Sequence, residues 1–326
     1  MENIIFGIDH GNGNMKTVRQ SFPCGFKMQE TEPSHLFSKD IIEYQGKFYS
    51  LTTNKFAYQT DKTADDKALI LTMFAMAKEW EARLKEKTQD YDFKKNFSGL
   101  NGKEIVLALG LPPAHFEKQH VAFKKYFEDH MKNGINFKYN GKSIMAYLKD
   151  VIVLPQDYAG ATIMMGDVIK ENSTVYCIDI GDGTVDMVGL TDGMPDKDTM
   201  LSREMGMSKL RGQIIDDVIN DYGVTLDTKT VDGYLKDKRL PLPDDIKEQV
   251  ENRIEQTTAE FTTELINQLH TKVADFRVYP SIFLGGGSMV LKEYIEKSKM
   301  FGITHYIDSI SANAIGYEKI AEALVK

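Results

Sequence analysis

Gly7-Ile8-Asp9-His10-Gly11-Asn12-Gly13-Asn14-Met15-Lys16-Thr17-Val18 and Cys177-Ile178-Asp179-Ile180-Gly181-Asp182-Gly183-Thr184-Val185-Asp186-Met187-Val188 are two copies of one pattern. Aligned without a gap, Ile8, Asp9, Gly11, Gly13 and Val18 meet Ile178, Asp179, Gly181, Gly183 and Val188 at a constant offset. Each copy reads as an apolar strand, a tight Asp-x-Gly-x-Gly hairpin turn with Asn-Gly or Asp-Gly at its tip, and a second strand. Glycine opens backbone angles and lets main-chain N–H groups approach a ligand, so such turns can cradle phosphate oxygens. An Asp ending each strand puts a carboxylate beside those phosphates, where it can hold Mg2+ through water. Lys16, in the first copy only, is placed to reach a phosphate as a point charge. Either copy alone is equally an ordinary β-hairpin; both, in one register, are what gripping a triphosphate from two sides requires.

Outward from the repeat, strands alternate with helices, the pattern of an α/β architecture. Strands are expected at 4–8, 40–44, 47–51, 105–111, 151–154, 174–180 and 281–284, with Pro112-Pro113 and Pro155 as stops. A helix over 65–86 carries Leu69, Met73, Met76, Trp80 and Leu84 at helical spacing. Further helices are expected at 115–131, 208–222, 246–273, from 289, and at 312–324. Asp245-x-x-Glu248 resembles a capping box opening the longest of them.

Gly285-Gly286-Gly287 ends a strand and opens a helix, a place where backbone comes close to a base or sugar and a helix N-terminus faces negative charge. A tight turn without ligand explains this loop equally well. Neither it nor the paired hairpins fit the dinucleotide fingerprint or the Walker lysine loop. Gln156 or Asp157, between a strand and a helix start, could orient a water for attack on a γ-phosphate; Asp157 reads equally as a helix cap. Gly206 and Lys209 precede a helix and are carried as candidate nucleotide contacts, although the sequence favours solvation for the side chains of Lys209 and Arg211.

The 326 residues suffice for two domains, and 42% hydrophobic with 27% charged residues is the balance of a soluble globular protein. A net charge of −8 makes a poor generic binder of nucleic acid. Two cysteines, Cys24 and Cys177, exclude a disulfide framework. The start has no basic region, and the apolar run 68–77 is about half of the ~20 residues a membrane span needs. A cytoplasmic protein is expected. The seven histidines show no metal-ligand spacing, and the 16 methionines read as core filler.

With these residues in place, the chain resembles the actin superfamily, an α/β class sharing the actin/Hsp70/sugar-kinase superfold, in which two related α/β domains hold a nucleotide in the cleft between them. The segments 9–16, 155–160, 179–186, 285–288 and 311–320 resemble its phosphate-1, connect-1, phosphate-2, adenosine and connect-2 motifs, in the family's order. Within it, 61–66, 68–77 and 108–113 with Phe116 look like the plasmid-segregation actins of the ParM/StbA type. The resemblance implies domain I at 1–160 plus 308–326, with an insert at about 25–95, and domain II at 161–307, with a helical insert at about 205–275.

It also implies ATP, with GTP as the alternative, held by Asp9, Gly11, Asn12, Gly13, Asn14, Lys16, Gly181, Asp182, Gly183, Thr184, Gly206, Lys209, Gly285, Gly286 and Gly287. Asp9 and Asp179 would bind Mg2+ through water, Gln156 would position the attacking water, and Asp179 would assist as base. ATP would drive a polar filament of this chain, coupled to plasmid DNA through a small adaptor protein, with no direct nucleic-acid or membrane contact. Asp182 departs from the family's small residue and must point away or meet Mg2+; Gln156 stands where several bacterial relatives carry Glu. The alternatives are a sugar or small-metabolite kinase, which would need a substrate-cleft Asp and longer insertions, and an Hsp70-like chaperone ATPase, which would need a peptide-binding domain. A membrane-bound cell-shape actin would need a basic amphipathic segment, and none is evident.

Overall fold

The chain divides into two units, Met1–Met164 with Ile310–Lys326, and Met165–Ser309. The computed structural model describes residues 4–36, 38–57 and 59–325, with Met164 by its backbone only. Residues 1–3, Phe37, Tyr58 and Lys326, which fall in the ranges expected for domain I, lie outside the described residues.

Unit 1 opens with β1 (Ile4–His10), β2 (Asn14–Thr17), β3 (Ser21–Pro23), β4 (Phe26–Gln29), β5 (Ile41–Tyr44) and β6 (Lys47–Leu51). Helices α1 (Lys67–Lys87) and α2 (Phe93–Asn96) lead to β7 (Lys103–Leu111), α3 (Pro113–Met131), β8 (Ile135–Tyr139), β9 (Lys142–Pro155) and α4 (Tyr158–Met164). Unit 2 holds α5 (Gly166–Glu171), β10 (Thr174–Ile180), β11 (Val185–Thr191) and β12 (Met194–Arg203). Three helices follow, α6 (Met207–Tyr222), α7 (Thr228–Asp237) and α8 (Asp244–His270), then β13 (Ser281–Leu284), α9 (Gly286–Ser298) and β14 (Thr304–Tyr306). Helix α10 (Ala312–Leu324) belongs to unit 1.

The two sheets repeat one design. In unit 2 the order is β12-β11-β10-β13-β14, an antiparallel meander joined through β10 to two parallel strands. In unit 1, β3-β2-β1-β7-β9 has the same order and the same directions, and β8-β5-β6-β4 extend it by antiparallel pairing. The repeat read from the first twelve residues of each copy therefore extends to a five-strand core.

Parallel strands need cover on both faces. Phe6, Ile8, Ile105, Leu107 and Leu109 pack with α1 and α3, while the alternate residues Ile5, Val106 and Ala108 pack with Ala159, Tyr317 and Ala321. Residues 68–77 of α1 are buried on every side, wider than the stripe expected, because this half of the helix lies wholly inside the core. Three details differ from the sequence reading. Strand β9 begins at Lys142 rather than 151, because its N-terminal half pairs with β8, a strand without a sequence expectation. Helix α9 starts at Gly286 rather than 289. Helix α8 starts at Asp244 with no side-chain cap, so the expected capping box does not form; the Pro243 carbonyl accepts from Ile246 and Lys247 instead. Among the described residues no helix is long and apolar enough to cross a membrane.

Helix α10 meets α4 through glycine: a Cβ on Gly316 would sit 2.3 Å from the carbonyl carbon of Ala159. Gly316→Ala is expected to lower stability by about 1–3 kcal/mol through overpacking, read from denaturant unfolding of the full chain. An unchanged midpoint would mean that the two helices do not meet at this distance.

Candidate functional site

The first hairpin closes later than its Asn-Gly tip suggests. The last β1–β2 pair is His10 with Met15, so four residues, Gly11 to Asn14, separate the paired ends rather than two, and Asn14 already pairs with Pro23 of β3. The second hairpin does the same, with Ile180 paired to Val185 and Gly181 to Thr184 between them, closed by the Gly181 N–H donating to the Thr184 carbonyl at 2.9 Å. Four residues expose more main chain than a tight turn.

Asp9 sits at the C-terminal end of β1 and is only 2% exposed. Its Oδ2 lies 3.2 Å from Lys16 Nζ, directly opposite on β2, and its Oδ1 accepts from Gln156 Nε2 at 2.9 Å. A buried carboxylate is tolerable when partnered in this way. Gln156 is itself buried and follows β9, where its N–H donates to Leu111. Asp157 adopts a left-handed backbone at φ 65°, and its N–H donates to Asn313 of α10. Asp9, Lys16 and Gln156 are thus one cluster in unit 1.

His10, next along β1, projects to the other side. Burial, with Lys62 nearby, pushes its pKa down to about 3. Cys24 is buried as well; its thiol is raised to about 12 by burial and donates to the Gly11 carbonyl at 2.8 Å.

In unit 2, Asp179 of β10 faces Asp186 across the ladder, at the position Lys16 holds in the first copy. Thr184 Oγ1 donates to Asp186 Oδ2 at 2.8 Å. Asp182 pairs with Arg211, which also reaches Asp232 at 3.2 Å. Arg211 is therefore buried rather than solvated, because Asp182 in the loop demands a countercharge. Lys209 reaches Glu264 at 3.2 Å on the surface. No signal local to positions 182 or 211 marks that pairing, which spans 29 residues.

Gly206 packs on the second loop: a Cβ there would lie 2.4 Å from the Asp182 carbonyl oxygen. The N–H groups of Gly206, Met207 and Ser208 donate to Gly183, Gly181 and Asp182 at 3.2, 3.0 and 2.8 Å. The start of α6 is spent on fixing the loop. Gly285, at φ 83°, would place a Cβ 2.0 Å from Asp179 Oδ1, so only glycine brings the third loop against this carboxylate. Gly286 is exposed with open space around it, while Gly287 is buried on Ile180 and Met207. Asp179, Gly181–Thr184, Gly206 and Gly285–Gly287 form one neighbourhood in unit 2.

A duplicated five-strand core, each copy with an Asp-ended strand before a glycine loop, defines the actin/Hsp70/sugar-kinase class of α/β fold. The model of the N-terminal domain of actin-like proteins matches residues 7–158, and that of the C-terminal domain of the archaeal actin homologue, MreB-like, matches 177–297. The chain belongs to the actin-like proteins. No curated protein sequence matches it. Among solved structures, the archaeal actin homologue Ta0583 in complex with ADP is 17% identical with a TM-score of 0.71, over 98% of this chain and 99% of that one. A 15-stranded ParM filament from Clostridium botulinum is 17% identical with a TM-score of 0.73, over 99% and 100%. The actin-like protein Alp7A is 14% identical at 0.73, over 100% and 97%. At such identities the likeness is one of fold.

The buried His10 makes stability pH-dependent. In the folded chain it stays neutral to about pH 3, whereas the unfolded chain protonates it near the ordinary 6.5. The unfolded state therefore binds more protons in acid; stability is complete above about 6.5 and is lost as pH falls towards 3. A loss of about 2 kcal/mol is expected at pH 5, to be read by denaturant unfolding at pH 7 and pH 5. His10→Phe should remove this component; an identical loss in the variant would contradict it.

Proposed function

We propose that this chain is an actin-like ATPase that polymerises on binding ATP and segregates plasmid DNA. The observation that carries the reading is the matched pair of Asp-ended hairpins, one per unit, in a chain of the actin-like family. Similar proteins support nucleotide binding and polymerisation: one is described with ADP and another as a filament.

In this reading the loops 11–14 and 181–184 cradle phosphates, Lys16 adds a point charge, and Gly285 to Gly287 receive the nucleoside. Asp9 and Asp179 suit Mg2+ held through water, which takes one or two carboxylates alongside phosphate oxygens rather than a protein cage. The arrangement offers one carboxylate just ahead of each loop, Asp9 before the loop 11–14 and Asp179 before the loop 181–184. Mg2+ bound there would supply positive charge to the phosphate oxygens. Gln156 gives one of its two amide hydrogens to Asp9, which fixes the side chain, and its carbonyl oxygen is the acceptor that orients the attacking water. The water's oxygen bonds to the γ-phosphorus, the bridge to the β-phosphate breaks, and Asp179 takes the proton.

Asp182 is balanced by Arg211 and does not act on the metal. The net charge of −8 fits a cytoplasmic filament joined to DNA through a small basic adaptor. The sugar-kinase alternative is disfavoured because both family matches are actin-like.

The test is light scattering of the purified chain on adding Mg-ATP, with pelleting and phosphate release. A rise that pellets and then decays as phosphate appears is expected. ATP binding with no rise at any concentration would favour a small-molecule kinase. Gln156→Ala should slow phosphate release about 100-fold while leaving ATP affinity within a few-fold, and its polymer should outlast that of the native chain. Equal losses of binding and turnover would make Gln156 a structural residue.

A further inference from the structure

The carbonyls of Gly181, Asp182 and Gly183 all accept from the start of α6, from the N–H groups of Met207, Ser208 and Gly206. In a trans peptide the N–H of the following residue points the opposite way from the carbonyl. The N–H groups of Asp182, Gly183 and Thr184 are therefore turned together away from α6, the arrangement of an anion-binding nest. An acid in such a loop works against that use. A carboxylate on the N–H side would compete with phosphate for the donors and repel it.

Arg211 lies on α6, about one turn beyond Met207. Side chains on a helix lean towards its N-terminus, so the guanidinium reaches back to the loop. Its Nη2 donates to Asp182 Oδ1, and its Nη1 donates to Asp232 Oδ1 of α7 at 3.2 Å. The second acid holds the other arm of the planar fork and keeps the first aimed at Asp182. The Arg211 side chain is 11% exposed and that of Asp182 25%, so salt screens this pair less than one on the open surface.

We propose that Arg211 is a positioning residue for phosphate binding: it draws the Asp182 carboxylate to the α6 side of loop 181–184 and leaves the N–H side to phosphate. It acts through Asp182. The inference rests on the reading of this loop as a phosphate cradle, and it names the side chain that makes an acidic loop fit for that role.

The test is a double-mutant cycle on the full chain, read by calorimetric titration with Mg-ATP and by the KM and kcat of phosphate release. Arg211→Met should weaken Mg-ATP binding about tenfold or more, the equivalent of ~1.4 kcal/mol. KM should rise with it while kcat stays within about threefold, the mark of lost binding rather than lost chemistry. In an Asp182→Asn background the same substitution should change affinity by less than about threefold, because no carboxylate is left to be held. A loss of equal size in both backgrounds would make Arg211 a packing residue and overturn the inference, as would native affinity in Arg211→Met. Should Arg211→Met fail to fold, Arg211→Gln takes its place in both backgrounds and is read in the same way. A native chain that binds no Mg-ATP would overturn the cradle reading itself, and this inference with it. Native binding with a cycle that shows no rescue would overturn this inference alone.

Discussion

A carboxylate removed from water must be surrounded by charge and donors, and the buried Asp9 sets that demand at the centre of unit 1. Lys16 meets it across the β1–β2 ladder, and Gln156 meets it from the end of β9. The first hairpin and the end of β9, 147 residues apart in sequence, are tied at one side chain. A one-residue slip of β1 would turn Asp9 towards the face of His10, which is lined by Phe123 and Phe127, so the pairing and the register support each other. A second buried carboxylate repeats the logic behind it. Glu79 of α1 accepts from Thr17, Arg19 and Arg83, and Arg83 continues to the Ile5 carbonyl and to Glu318 of α10. Burial raises the Glu318 pKa above its ordinary value, against the pull of Arg83.

The two hairpins share a backbone and differ in charge. Opposite Asp9 stands Lys16; opposite Asp179 stands Asp186. In the proposed reading this is a division of labour: one hairpin offers a cation to phosphate, while the other keeps its negative charge for metal-bound water and a proton. The extra acid of the second loop, Asp182, is answered by Arg211 from α6. The first turn of α6 closes on the same loop through three main-chain hydrogen bonds, so the chain itself fixes the shape of that loop.

Much of this was legible in the sequence because the repeat is local. An Asp two residues before a glycine, at the same place in two copies, lies within a dozen residues, and the strand ends marked by Pro112 and Pro155 are backbone rules. What escaped reading is non-local. The burial of Arg211 depends on a loop 29 residues away, and the Glu79 network spans α1, β2 and α10. Strand β8 is a short alternating segment that forms because β9 and β5 flank it. The capping box at Asp245 fitted the pattern, but with Pro243 as the N-cap the helix starts two residues earlier, at Asp244.

The central claim is that both hairpins serve one nucleotide, and a double-mutant cycle on Mg-ATP affinity tests it most directly. Asp9→Asn and Asp179→Asn keep side-chain shape and remove one charge each. One nucleotide per chain, a loss of affinity in both single variants and a coupling of about 0.5–3 kcal/mol between them are the predicted result. Native affinity in either single variant, or losses that simply add, would contradict a shared grip.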